Sequence, residues 1–386
     1  MPGAGFGDNG GMTSASYSSA AAEPFEGLRI RGVAKTFGTD TTVLNEIDLD
    51  VHPGELISLV GSSGTGKSTL LRIIAGLEEP SAGRVTYAGQ PLERGSVGVV
   101  FQRPILYPHL SVKDNILFPT RLGAFSGGVD MDYYRELLEA LKLEGLESRK
   151  PSQLSGGQAQ RVGIARALIR RAPVVLFDEP LASVDEEMSA SIRADIVRLH
   201  ERYGFTGLYV THDQNEALML GQRVAVMDAG YLVQVDTPEH LLAHPHTLQV
   251  AKLMAAPALN LVALEDSAVL PAGCQLAIRA TALCPVAADA AHSLPVQVLG
   301  SRHLVGGMLY RARLLEAVSL PLESRRASAD SEPSDRVYAR VRAGQELEFF
   351  IPDAQSGSSL NVGDRVHLGV AAERCFVFSN GKRFYL

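Results

Sequence analysis

Short apolar segments alternate with longer stretches of helical spacing from Leu28 onward. Two segments, Leu56–Val60 and residues 174–177, are almost entirely apolar, which predicts strands that are buried on both faces of a parallel sheet. Strands of this kind that alternate with helices predict an α/β domain with helices packed against the sheet.

Two further patterns interrupt or close this domain. Residues 133–143 carry apolar side chains at helical spacing, which predicts a helical lobe at about 103–165 inserted into the sheet domain. Residues 224–227 and 231–235 are apolar runs around Asp228-Ala229-Gly230, a pattern typical of a β-hairpin in which Gly230 supplies a positive φ.

The pattern changes again beyond about residue 258, where helical spacing fades. Strand-like runs there predict a small barrel or sandwich, and polar residues 321–336 predict a solvated loop. Residues 1–24 are rich in Gly, Ser and Ala, which predicts a flexible tail. We therefore expect a tail at 1–24, an α/β domain at 25–258 and an all-β domain at 259–386. The strand-like runs of the expected all-β domain lie at 275–278, 294–299, 308–314, 346–351 and 366–370.

Composition narrows the class of protein. A chain of 386 residues exceeds the usual size of one core, and 46% apolar with 20% charged residues is typical of a globular protein. The net charge of -7 argues against a nucleic-acid partner.

Cys274, Cys284 and Cys375 lack metal-ligand spacing, which predicts reduced, buried thiols. No apolar run reaches the length of a membrane span, and residues 1–28 contain no Lys or Arg, so we expect a cytosolic protein without a secretory signal.

A phosphate-binding motif follows the first buried strand. Residues 61–69 match the P-loop pattern G-x-x-x-x-G-K-[ST] and precede a helical run, which is the context that the motif requires. Backbone N–H groups of such a loop face phosphates, the lysine neutralises them, and the first hydroxyl of the [ST] position binds Mg²⁺. The residues are Gly61, Ser62, Ser63, Gly64, Thr65, Gly66, Lys67, Ser68 and Thr69.

Two carboxylates follow the second buried strand. Asp178 and Glu179 stand at its carboxyl end, where open α/β sheets bind ligands. We expect Asp178 to hold magnesium and Glu179 to orient and deprotonate an attacking water. These residues predict a nucleotide hydrolase.

The segment Ser155-Gly156-Gly157-Gln158, preceded by Leu154, resembles the signature motif of ABC ATPases. The resemblance implies that these four residues complete the P-loop site of a second subunit, so that two ATP molecules lie between two ATPase domains arranged head to tail.

Other positions resemble the family's motifs in the same order. Phe37 resembles the aromatic residue that stacks on adenine, and Gln102 resembles the glutamine that touches the metal or water. Residues 181–185, ending in Asp185, resemble the loop that crosses the dimer interface. His212 resembles the switch histidine that contacts the γ-phosphate.

The resemblance also implies a fold for the whole chain. We expect an α/β P-loop NTPase with a RecA-like core, an antiparallel β subdomain and an inserted helical lobe, followed by a small all-β OB/TOBE-like domain. Residues 236–241 and 257–260 resemble the linker to a TOBE-type domain in sugar, glycerol-phosphate, polyamine and iron importers. The chain departs from the pattern at Ala280-Thr281, where relatives usually carry Pro-Glu, and at Ala182 and Val184.

The resemblance also implies a function. We expect the ATPase subunit of an importer for a sugar, polyamine or similar solute, using ATP and Mg²⁺ at the cytoplasmic face of the inner membrane. The expected partners are integral membrane permease subunits, a second ATPase subunit that is the same chain or a paralogue, and, indirectly, an extracytoplasmic solute-binding protein. We expect the permease to dock on residues 106–110, and the alternative for this segment is packing in the core. The alternatives are a soluble ABC ATPase acting on nucleic acid or in cofactor assembly, and an ATP-binding regulatory module.

Overall fold

The structure is a computed structural model that describes residues 25–121, 129–265, 270–271, 273–322, 337–353, 359–370 and 374–384. The tail predicted at 1–24 lies outside these residues, as do positions 323–336 of the predicted loop. The start of that loop at residue 321 was predicted wrongly, because Pro321 and Leu322 end the strand Val318–Leu322.

The first part of the described chain, up to residue 258, alternates strands with helices. Its strands are β1 (Leu28–Phe37), β2 (Thr41–Val51), β3 (Leu56–Val60), β4 (Ala82–Tyr87), β5 (Gln90–Pro91), β6 (Gly98–Val100), β7 (Val174–Asp178), β8 (Thr206–Thr211), β9 (Arg223–Asp228) and β10 (Tyr231–Asp236). Its helices are α1 (Lys67–Ile74), α2 (Val112–Leu117), α3 (Met131–Ala140), α4 (Gly156–Leu168), α5 (Glu186–Tyr203), α6 (Gln214–Leu220), α7 (Pro238–Ala243) and α8 (Leu248–Leu253), with 3₁₀ turns at Phe118–Arg121 and Pro151–Gln153.

Two sheets organise this part. The central sheet has the order β10-β9-β3-β8-β7-β6, parallel except for the hairpin strand β10, and the second sheet is antiparallel with the order β2-β1-β4-β5. All five residues of β3 are buried, as expected of a strand that is covered on both faces. The hairpin turn contains Gly230 at φ 82, as predicted, and Ala229 also has a positive φ of 46. The α/β sheet, antiparallel subdomain and inserted lobe are therefore present as predicted.

The helical lobe lies between β6 and β7 and consists of α2, α3 and α4. The predicted helix at 133–143 begins two residues earlier and ends at Ala140, because Leu141 leaves helical geometry and Lys142 has a φ of 55. Tyr133, Tyr134 and Leu137 of α3 are buried in one core together with residues of α4 and β7. The lobe and the central sheet are thus packed against each other.

The rest of the described chain is almost entirely β. Every predicted run there is a strand, although the run at 294–299 continues to Leu304. The strands are β11 (Leu259–Ala263), β12 (Gln275–Arg279), β13 (Cys284–Val286), β14 (Leu294–Leu304), β15 (Gly307–Leu314), β16 (Val318–Leu322), β17 (Val337–Val341), β18 (Glu346–Pro352), β19 (Arg365–Gly369), β20 (Cys375–Ser379) and β21 (Lys382–Phe384), with a 3₁₀ turn at Ala280–Ala282.

These strands form antiparallel sheets around one apolar core. A buried amide joins two of the sheets, because the Asn260 side chain on β11 donates to the carbonyls of Ile278 and Glu348 at 3.1 and 2.8 Å. The prediction of buried thiols was wrong for Cys284, which is exposed, whereas Cys274 and Cys375 are buried. No helix among the described residues is both long and apolar enough to cross a membrane.

Candidate functional site

Three neighbouring strands deliver the predicted catalytic residues to one edge of the central sheet. Strand β8 lies between β3 and β7 and runs parallel to both. The P-loop follows β3, Asp178 and Glu179 stand at the end of β7, and His212 follows β8. Parallel strands end at the same edge, so the sheet topology brings these three segments together.

The P-loop has the backbone geometry that its glycines allow. Gly64 and Gly66 adopt φ of 82 and 98, in the left-handed region that side chains disfavour. A Cβ on Gly66 would lie 2.8 Å from the Val43 carbonyl oxygen, and one on Gly61 would lie 2.4 Å from that of Met227. The loop is therefore wrapped closely by neighbouring backbone and leads directly into α1.

The ammonium group of Lys67 is a buried positive charge inside this loop. Its side chain is 4% exposed, and Nζ donates to the carbonyls of Gly61 at 2.8 Å and Ser62 at 3.0 Å. Burial lowers the pKa of Lys67, while the nearby charges of Glu179 and Asp178 oppose that change. A buried ammonium that has backbone carbonyls as its hydrogen-bond partners is suited to attract an anionic ligand into the loop.

Ser68 and Asp178 place two oxygen ligands side by side. The Ser68 hydroxyl donates to Oδ1 of Asp178 at 3.2 Å. Burial, followed by the charge of Glu179, raises the pKa of Asp178 against the opposing hydrogen bond from Ser68. The described residues contain no cluster of three or more His, Cys, Asp or Glu side chains that could hold a metal alone. One carboxylate and one hydroxyl fit Mg²⁺, which takes its other ligands from phosphates and water.

Glu179 and His212 meet at the same edge. Nδ1 of His212 lies 2.9 Å from Oε2 of Glu179, and the side chains are 60% and 23% exposed, respectively. Glu179 adopts a φ of 43, and its N–H donates to the Val210 carbonyl of β8 at 2.9 Å. A non-glycine residue held in this strained region is typical of catalytic positions.

Residues outside the predicted motifs hold the loop that contains His212 in place. Glu216 is 8% exposed and accepts hydrogen bonds from Thr211 at 2.7 Å and Tyr209 at 3.1 Å. Its own N–H donates to the Asp213 side chain at 3.0 Å, which caps α6. The spacing Asp213-x-x-Glu216 is a helix-start signal that was available in the sequence. This network fixes the backbone on both sides of His212.

Phe37 and Gln102 lie at the surface. Phe37 is 43% exposed at the end of β1, with Nζ of Lys35 4.9 Å from the centre of its ring. Gln102 is exposed just after β6. Both side chains are open to a ligand or a partner.

The four residues of the signature motif form the start of α4, where Ser155 and Gly156 are exposed, Gln158 is half-buried and Gly157 is buried. Ser155 caps this helix and exchanges hydrogen bonds with Gln158, whose N–H donates to the Ser155 hydroxyl at 3.2 Å. Gly157 leaves no room for a side chain, because a Cβ there would lie 2.5 Å from Met188 of α5. Asp185 caps α5 through the N–H of Met188 at 2.9 Å. Among the described contacts, no hydrogen bond or ion pair joins this motif to the P-loop of the same chain.

Comparisons with known proteins agree with this geometry. Residues 44–182 match the ABC transporter family. The chain is 45% identical over 241 residues to sn-glycerol-3-phosphate import ATP-binding protein UgpC 1 of Rhizobium johnstonii, an alignment that covers 61% of this chain and 65% of that protein. It is 42% identical over 266 residues to the UgpC protein of Salmonella typhi, covering 66% and 74%, respectively.

A solved structure shares the fold. The cbiO1 protein of Clostridium perfringens, described as part of the ABC transporter complex cbiONQ, matches with a TM-score of 0.51 and 27% identity over 57% of this chain and 92% of that chain. The resemblance stated from the motifs and the predicted P-loop NTPase fold are thereby confirmed.

Proposed function

The chain belongs to the ABC transporter ATP-binding proteins, and from that premise we propose that it binds and hydrolyses MgATP to drive solute import through partner membrane subunits. The observation that carries the proposal is the meeting of Lys67, the Ser68–Asp178 pair and the Glu179–His212 pair at one sheet edge. Import is favoured over the soluble alternatives because both curated relatives carry the word import in their names.

Each group at this edge has a separate task. The N–H groups from Gly61 to Thr69 and the Lys67 ammonium hold the phosphates of ATP, and Phe37 stacks on adenine. Ser68, Asp178 and Gln102 hold Mg²⁺, which when bound neutralises part of the phosphate charge.

Glu179 acts as the general base. His212 holds Oε2 of Glu179, so Oε1 is left to accept a proton from the attacking water. The second ring nitrogen of His212 is left for the γ-phosphate. The positions of both side chains depend on the β7 and β8 ends and on the Glu216 network, so the site is organised before ATP arrives.

A second copy of the chain completes the site. Ser155 and Gly156 are exposed at the start of a 13-residue helix, where free N–H groups favour anions. We assign Ser155, Gly156, Gly157, Gln158 and the exposed Asp185 to the P-loop site of the partner, with two ATP molecules held between two chains. ATP closes this homodimer because it binds the closed form more tightly than the open form.

The permease docking surface is assigned to the segment after Gln102. Ile105 and Tyr107 are 62% and 38% exposed, whereas Leu106 packs against the core. The fully buried Asn115 fixes this segment, because its side chain accepts from the Tyr107 N–H at 2.8 Å and donates to the Tyr107 carbonyl at 3.1 Å. A rigid loop with exposed apolar groups is suited to transmit motion to a membrane subunit at the cytoplasmic face of the inner membrane. An extracytoplasmic binding protein then delivers solute to the permease, and the names of the relatives make sn-glycerol 3-phosphate the first solute to test.

Phosphate release from MgATP tests this function. Glu179→Gln removes the base but keeps the size of the side chain, so ATP affinity should be retained while turnover falls by about 10² to 10⁴-fold. Glu144→Gln, an exposed carboxylate of the lobe, is the matched control and should turn over like the wild type. Hydrolysis by Glu179→Gln at the wild-type rate would remove Glu179 from the mechanism, and wild-type protein that releases no phosphate would refute the function.

A further inference from the structure

A cavity of about 630 Å³ lies between the α/β part and the C-terminal β part. The α/β part contributes α6 and α7, and the β part contributes the end of β12 and the start of β20. This volume is sufficient for a metabolite rather than a single ion. The lining residues that matter here are Gln214, Leu242, Arg279, Thr281, Arg374 and Phe376.

Arg279 is the unusual residue in this cavity. Its Nη1 donates to the Leu242 carbonyl of α7 at 2.7 Å, and its guanidinium lies 5.1 Å from the centre of the Phe376 ring. Its Nε and Nη2 atoms are buried, and neither has a hydrogen-bond partner within the described part of the chain. Buried N–H groups of a charged side chain are costly when they are left without acceptors.

The cavity is electropositive around Arg279. Arg383 lies 4.5 Å from the centre of the same Phe376 ring and donates to the Ala243 carbonyl at 2.9 Å. Burial, followed by the charges of Arg383 and Arg374, lowers the pKa of Arg279 to about 10. Glu239 also lines the cavity, but no ion pair between Glu239 and Arg279 is present among the described residues. The field in this cavity therefore favours an anion.

A second polar side chain that lines the cavity also has a buried atom without a partner. Oε1 of Gln214 is buried and has no hydrogen-bond partner in the described structure. The amide can present either its oxygen or its NH₂ group to a ligand. Gln214 is the first residue of α6 and follows His212 by two positions, so this cavity adjoins the helix that carries the histidine loop.

We propose that this cavity binds a small soluble metabolite through a phosphate or carboxylate group held by Nε and Nη2 of Arg279. These two atoms lie on one edge of the guanidinium, and paired N–H donors of this kind bind carboxylate or phosphate oxygens bidentately. Gln214 contacts the polar remainder of the ligand, and Phe376 and Leu242 contact its carbon skeleton. The site is separate from the P-loop and does not depend on ATP hydrolysis.

Calorimetric titration of the full chain with inorganic phosphate and with citrate tests the site and distinguishes the two head groups. The titrations use Lys67→Ala protein, so that binding in the P-loop is removed, and sodium chloride of equal ionic strength is the reference. Arg279→Met should weaken binding of the preferred anion by about tenfold or more, the loss expected when a bound charge loses its partner. Arg313→Met removes an exposed arginine that pairs with Glu346 in the same β part, and this variant should bind the anion with unchanged affinity.

Thr281→Glu provides a second variant that does not remove the arginine. A carboxylate at this exposed position of the cavity wall can occupy the free edge of Arg279, so the variant should fold at least as stably as its parent and lose anion binding by a similar factor. Undiminished binding in Arg279→Met or in Thr281→Glu would overturn the proposal. So would a parent protein that binds neither phosphate nor citrate above the chloride reference.

Discussion

A buried ion pair sets the position of the helix that begins with the signature motif. Asp195 of α5 is fully buried, and Oδ2 lies 3.1 Å from Nε and 3.0 Å from Nη2 of Arg161 on α4. The Arg161 side chain is 8% exposed, and its Nη2 also donates to Ser191 at 2.8 Å. Lys142 and Arg198 contact the same carboxylate from the surface, with side chains that are 55% and 59% exposed.

Asp195→Ala should destabilise the chain strongly. Loss of the carboxylate leaves the Arg161 charge buried, with the Ser191 hydroxyl as its remaining hydrogen-bond partner among the described residues. Breaking a buried pair from one side costs about 3–5 kcal/mol. Because Ser191 remains, we expect about 3 kcal/mol, or a fall in Tm of roughly 6–12 °C for a domain of this size. Arg198→Ala breaks a contact at the surface and should cost less than about 1 kcal/mol.

Thermal and urea unfolding of the wild type, Asp195→Ala, Arg198→Ala and a double variant measures these differences. Arg161→Met with Asp195→Leu removes both charges together, so the double variant should recover most of the stability that Asp195→Ala loses. A loss below about 1 kcal/mol in Asp195→Ala would refute the reasoning. A double variant as unstable as Asp195→Ala would show that packing, not the unpaired charge, sets the cost.

Two further predictions concern the nucleotide site. Asp178→Asn should raise Tm at pH 7 in the absence of Mg²⁺ and nucleotide, because burial raises the pKa of Asp178 in the folded chain. Because the pKa of Asp178 is raised in the folded chain, the free energy of unfolding of the wild type falls as pH rises from 3.8 through that raised pKa. The gain in Tm from Asp178→Asn should therefore vanish below pH 3.8. An equal gain in Tm at pH 7 and below pH 3.8 would contradict this. Gly64→Ala should cost about 1–2 kcal/mol from its positive φ alone, since its Cβ meets nothing within 4 Å. Gly66→Ala should cost more, because its Cβ also meets the Val43 carbonyl at 2.8 Å, and equal costs by urea unfolding would contradict this.

The sequence could predict which residues lie close together at the ends of neighbouring parallel strands. The fully apolar runs of β3 and β7 indicated buried parallel strands, and the polar residues after each strand then had to lie at one edge. Asp178 and Glu179 were predicted in this way, whereas Lys67 was predicted from the P-loop motif after β3. The motifs identified Ser155 and Phe37 as well, although their roles depend on a ligand and a partner.

Contacts between distant helices and between domains could not be predicted in this way. Nothing in the local pattern relates Arg161 to Asp195, because their pairing depends on how α4 packs against α5. Exposure of Cys284 likewise depends on its position on strand β13, not on its residue type. Arg279 ends an ordinary strand pattern, and its unpaired N–H groups follow from the packing of β12 against α7.

Sedimentation velocity of the Glu179→Gln chain with and without MgATP tests most directly whether two copies hold ATP between them. We predict a monomer without nucleotide and a dimer with saturating MgATP, because hydrolysis no longer reopens the closed form. Adding Ser155→Arg should prevent the dimer while each chain still binds nucleotide. A Glu179→Gln chain that binds MgATP and stays monomeric, or a dimer that Ser155→Arg leaves intact, would contradict the account.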